Sequence, residues 1–107
     1  MRRVVVTGLG AVTPVGLNAK TSWAETLAGR SGVAPISLFP VGDIPTTIAA
    51  EVKGFDPLTC MDAKEANRAS RFVQFAAGAA KEAMADSGLD PQNSDTDNWG
   101  CSIGVGM

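Results

Sequence analysis

The stretch Val4-Val5-Val6-Thr7-Gly8-Leu9-Gly10-Ala11-Val12-Thr13-Pro14-Val15-Gly16 constrains the fold more than any other part of the chain. Three successive β-branched residues with no polar interruption suit a strand buried on both faces, as inside a parallel sheet covered by helices; a hairpin strand would alternate. Gly8, Gly10 and Gly16 together with Pro14 forbid an immediate helix, so the strand empties into a turn-rich loop whose backbone can pass close to other groups. Gly8-Leu9-Gly10 also begins the G-x-G-x-x-G dinucleotide pattern. The third position, however, is Thr13, and Pro14 and Gly16 delay a helix until about Asn18, so no helix N-terminus meets a pyrophosphate there. Nucleotide binding is therefore discounted on this pattern.

Further along, Asn18 is suited to cap a helix over 19–28, with Trp23 and Leu27 one turn apart on a core-facing side and Gly29 as the stop. From Arg30 to Pro57 short apolar runs are broken by Gly32, Pro35, Pro40, Gly42, Pro45 and Gly54. Residues 48–52 read as a strand and 33–39 as an extended partner that Pro35 confines to an edge, so 30–57 reads as an insertion on the core fold. Asp62-Ala63-Lys64-Glu65 has the form of a capping box opening a short helix. A second helical run follows from Ser70 to Ser87, with Phe72, Phe75, Ala76, Ala79 and Ala83 on one stripe and Gln74, Lys81, Glu82 and Asp86 opposite. Its many alanines make it thin and fit for burial on more than one side, and Gly88, Leu89 and Pro91 end it. After a polar connection over 90–98, residues 99–107 form a second strand with small residues at every other place. Strand, helices, then strand is a right-handed crossover, which predicts Val4–Thr7 and Cys101–Val105 parallel and adjacent in an α/β fold.

Bulk properties exclude several classes of function. With 107 residues, 45% of them hydrophobic and 19% charged, the chain has the composition of one small soluble α/β domain. A net charge of -2 with scattered cations offers no basic field for nucleic acid and no polybasic membrane anchor. The apolar run after Arg2 and Arg3 is far too short for a signal peptide or a spanning helix, which predicts a cytoplasmic protein. Two cysteines, Cys60 and Cys101, in a chain with no histidine, suggest neither a zinc site nor a disulfide framework, and read as buried, reduced thiols.

Read whole, the opening stretch resembles the signature of the β-ketoacyl-acyl carrier protein synthases, the decarboxylating condensing enzymes of fatty-acid synthesis. The resemblance continues through Trp23, Gly29, Ser31-Gly32-Val33, Asp86-Ser87-Gly88-Leu89 and Ile103-Gly104-Val105-Gly106-Met107, and is closest to the type II elongating enzymes. It implies a thiolase-like fold, two similar α/β halves in a five-layered αβαβα arrangement. This chain would be the incomplete N-terminal part of that fold, with 30–57 as an insertion shaping surface and subunit contact. The implied activity is condensation of an acyl group with malonyl-acyl carrier protein by a homodimer, with no cofactor or metal.

Such chemistry needs a cysteine nucleophile, two histidines for decarboxylation and enolate stabilisation, and backbone amides as an oxyanion hole. The chain has no histidine, and neither Cys60 nor Cys101 stands in the Thr-Ala-Cys-like context of the family's nucleophile, so no catalytic residue is carried over and the segment alone is expected to be inactive. The resemblance does imply two sites. Met107 stands where the type II enzymes place a bulky residue gating the acyl pocket, with an ordinary core methionine as the rival reading. Lys64 and Arg68, at i, i+4 with Arg71 close by, fall where the family meets the acidic helix of acyl carrier protein; Asn67 departs from the basic residue often found there. The rival reading is a solvated helix face with Glu65 as counter-charge. A polyketide ketosynthase-like subunit and a nonenzymatic interaction fragment remain as alternatives.

Overall fold

The computed structural model describes residues 1–106, and Met107 lies outside the described residues. In chain order the elements are α1 (Ala19–Leu27), β1 (Val33–Pro35), β2 (Ile48–Ala50), a 3-10 turn (Pro57–Thr59), α2 (Ala63–Arg68) and α3 (Arg71–Ser87). They belong to two compact units, one comprising Ala11–Asp56 and the other Met1–Gly10 together with the chain from Pro57 onward.

In the first of these units a polar knot fixes the glycine loop. Thr13 and Gly16 exchange both backbone hydrogen bonds across Pro14, at 2.8 and 3.2 Å, closing a tight turn. The Thr13 hydroxyl accepts from the amides of Val15 and Gly16, at 3.3 and 3.1 Å. Ser22, 7% exposed, donates to the Gly16 carbonyl at 3.1 Å and lies 2.9 Å from the Thr13 hydroxyl. A Cβ on Gly16 would lie 2.8 Å from the Ser22 hydroxyl oxygen, so the helix closes onto the turn only because that position is glycine. Asn18 caps α1 by accepting from Thr21 N at 2.8 Å, and Gly29, at φ +69°, lets the chain leave it.

The expected core contact of this helix is not made. Trp23 and Leu27 are 64% and 69% exposed, because α1 buries itself through Ser22 against the turn rather than through its two large apolar residues. β1 and β2 pair antiparallel with Val33 opposite Ala50 and Pro35 opposite Ile48. Pro35, which has no amide to donate, is accommodated in this two-stranded ladder. Beyond the ladder, the accessible Glu51 carboxylate gathers the chain that follows β1. It accepts from the Ser37 hydroxyl at 2.6 Å and from the Ser37 and Leu38 amides at 3.1 and 3.2 Å. The Ser37 hydroxyl bond, ahead of the amide bonds and the charge of Lys53, outweighs desolvation and holds the Glu51 carboxyl below its ordinary value. Its contribution is therefore present above the ordinary carboxylate range and lost as pH falls through the lowered value.

The second unit is built on α3, a 17-residue helix ended by Gly88 at φ +66°, as its sequence predicts. The parallel pair predicted for 4–7 and 101–105 does not form among the described residues: neither segment carries a ladder, and Val4, Val5 and Val6 are 93%, 61% and 79% exposed. An isolated pair of parallel strands lacks the neighbouring strands and covering helices that such a run needs, and parallel pairing is the weaker kind. The segments associate instead with α3. The Leu9 amide donates to Asp86 Oδ2 at 2.9 Å, and Gly8 and Gly10 press against the helix backbone at Ala83 and Ala79. Ile103 joins Phe72, Val73, Ala76, Ala77 and Ala80 around an apolar groove of about 240 Å³. On the predicted stripe Phe75, Ala76, Ala79 and Ala83 are half-buried, whereas Phe72 is exposed.

Candidate functional site

Six residues of α2 are too few to hold a helix by backbone bonding alone, so its neighbours decide whether it stands. At its start the capping box forms as predicted: Glu65 N donates to Asp62 Oδ1 at 2.8 Å and Asp62 N to Glu65 Oε2 at 3.2 Å. Ala66, on the inner side, is the buried apolar residue of the chain's described part. The preceding 3-10 turn is tied down twice. Lys81 Nζ, from the middle of α3, donates to the Thr59 carbonyl at 2.6 Å, and the half-buried Cys60 thiol donates to Pro57 O at 3.3 Å and toward Gln74 O at 3.8 Å.

At the other end of α2 the last carbonyls have no helical partner of their own. Gln74 of α3 supplies one: its side-chain Nε2 donates to the Ala66 carbonyl at 3.0 Å and to the Ala69 carbonyl at 3.4 Å. Its Oε1 accepts from Arg71 Nη1 at 3.3 Å, so both ends of the amide are engaged. The Arg71 guanidinium also lies 4.6 Å from the centre of the Phe75 ring, within the range of a cation-π contact.

Held in this way, α2 presents Lys64 and Arg68 to solvent at i, i+4. Arg68 sits in the last turn, where a cation is favoured by the helix dipole. Among the described residues neither forms an ion pair, and the Glu65 carboxylate, the expected counter-charge, is used in the capping box instead. Two unneutralised cations on a braced helix can recognise an acidic surface by charge complementarity, and can do no covalent chemistry by themselves.

The remaining sequence-derived positions fare differently. The candidate acyl gate, Met107, lies outside the described residues. Cys60 is half-buried, but Cys101 is exposed, contrary to the reading of both thiols as buried, because the strand meant to bury it has no ladder partner among the described residues. Both thiols are free. Among the described residues no helix is long and apolar enough to cross a membrane. Gln74 escaped sequence reasoning because it falls on the polar side of α3, where a solvated residue looks the same in one dimension. Its only sequence signal is an amide between the apolar Val73 and Phe75, one turn into the helix.

Comparison with known proteins bears on the whole chain. The family described as Beta-ketoacyl synthase, N-terminal domain, matches residues 1–107. The 3-oxoacyl-[acyl-carrier-protein] synthase 2 of Coxiella burnetii is 45% identical over 106 residues, covering 99% of this chain and 26% of that protein. The protein of the same name from Synechocystis is 41% identical over the same share of each chain. Among solved structures, the ishigamide ketosynthase/chain length factor superposes with a TM-score of 0.77 at 34% identity, over 86% of this chain and 23% of its own. The chain thus spans about a quarter of the length of the curated relatives it matches.

Proposed function

Because this chain belongs to the β-ketoacyl synthase N-terminal-domain family and is the N-terminal portion of a thiolase-like fold, we propose that its full-length protein performs decarboxylative condensation in fatty-acid elongation. An acyl group passes from acyl carrier protein to an enzyme cysteine. Malonyl-acyl carrier protein then loses carbon dioxide, and its enolate attacks that thioester, forming the new carbon-carbon bond and freeing the cysteine. The observation that carries this reading is 45% identity, across essentially the whole chain, to a 3-oxoacyl-acyl carrier protein synthase. Within this chain there is no histidine and no cysteine in a nucleophile's setting, so its share of the work is framework and recognition.

The recognition role falls to Lys64 and Arg68, which meet the acidic helix of the carrier protein in an encounter that weakens as salt rises. What supports it is their exposure and the engagement of Glu65 elsewhere. Met107 gates the acyl pocket, the 30–57 stretch shapes the subunit contact, and the full-length protein works as a cytoplasmic homodimer without metal or organic cofactor. The test is to supply purified full-length protein with acyl- and malonyl-acyl carrier protein: one 3-oxoacyl-carrier product per acyl chain, with release of carbon dioxide, is expected, and no condensation would refute the reading. A second reading, a polyketide ketosynthase subunit, is favoured by the likeness to the ishigamide ketosynthase/chain length factor. In the same assay it would yield chains extended by several unreduced units.

A further inference from the structure

We propose that Gln74 is a positioning residue for carrier-protein docking, holding α2 and a third cation, Arg71, in one rigid basic surface. This rests on the assignment of Lys64 and Arg68 to that docking.

By itself α2 is a weak helix. A helix of this length gains its order from its ends, and its C-terminal end is closed by Ala69 N bonding back to Glu65 O at 2.9 Å and by the two bonds from the Gln74 amide. Removing that amide leaves the carbonyls of Ala66 and Ala69 without their side-chain donor, next to the one apolar residue that anchors the helix. Arg68 lies between those two carbonyls in sequence, so the backbone that carries it is held by the same bonds. The opposite end of the amide reaches the other way. Gln74 Oε1 accepts from Arg71, whose guanidinium is further confined over Phe75, so a long cation at the start of α3 is ordered before any partner arrives. Ordering side chains beforehand removes an entropic cost otherwise met on binding. The amide thus joins the helix bearing Lys64 and Arg68 to the residue bearing the third charge. A methionine at this position would fill the same volume and make none of the three bonds.

The experiment uses the full-length protein and the acyl-transfer half-reaction, with the same acyl group on acyl carrier protein or on pantetheine, which lacks the protein surface. Gln74→Met is expected to lower kcat/KM for the carrier-bound substrate about 5-fold through KM and to leave the pantetheine thioester within 2-fold. Arg71→Met is expected to produce a similar loss with a shallower salt dependence. Equal losses on both substrates, or no loss on the carrier-bound one, would overturn the proposal. If Gln74→Met does not fold, Arg71→Met decides by the same ratio. The double charge reversal at Lys64 and Arg68, run alongside, separates the two layers: if it alters the ratio and Gln74→Met does not, only the positioning role fails, whereas if it alters nothing, the docking assignment itself fails.

Discussion

Two glycine-rich segments without helix or ladder meet α3, and they use their glycines differently. At Gly8 and Gly10 the absent side chain makes room for the helix: a Cβ on Gly10 would stand 2.8 Å from Ala83 N, and one on Gly8 2.7 Å from Ser87 N. At Gly100, Gly104 and Gly106 a Cβ would meet nothing within 4 Å. The first segment is also tied by the Leu9–Asp86 bond, whereas the second touches the helix groove through Ile103. Glycine beside a strand-like run therefore marks permission for a close approach. Whether the approach occurs is decided by what stands opposite, here the alanine row at 79 and 83.

That contrast can be broken by substitution, with stability of the full-length protein followed by denaturant unfolding. Gly10→Val should have the largest effect, about 3 kcal/mol or more, because the obstructing atoms are helix backbone and cannot turn aside. A loss below about 1 kcal/mol would show that the segment does not lie on α3. Asp86→Ala should cost about 1 kcal/mol by leaving the Leu9 amide without its carboxylate acceptor, less than a buried bond because the site is exposed.

What the sequence made legible was local. The Asn18 cap, the Asp62–Glu65 box and the left-handed Gly88 each depend on residues within one turn of one another, and each is found in the structure. A strand over 48–52 with 33–39 as its extended partner is readable because prolines and glycines bracket both runs; the structure pairs only 48–50 with 33–35, antiparallel. Where the reading failed, a distant partner was needed. Apolar character and crossover topology predict a shared ladder for Val4–Thr7 and Cys101–Val105, but such strands hold only when further strands and helices cover them. Trp23 was expected inside because large aromatics usually are, yet Ser22 is the residue that α1 buries. At the candidate site the cations could be seen in sequence and their brace could not. Gln74 reaches Ala66 and Lys81 reaches Thr59 between separate elements, and helical periodicity within each element does not tell which polar side chain will meet which carbonyl of another.

The central claim is that this chain contributes a docking surface, and the most direct test reverses its charge. In the full-length protein, Lys64→Glu with Arg68→Glu should raise KM for acyl carrier protein at least about 10-fold at low salt, with the difference from wild type shrinking as salt is added. Acyl transfer from pantetheine should stay within 2-fold of wild type. An unchanged KM for the carrier protein at low salt would contradict the account.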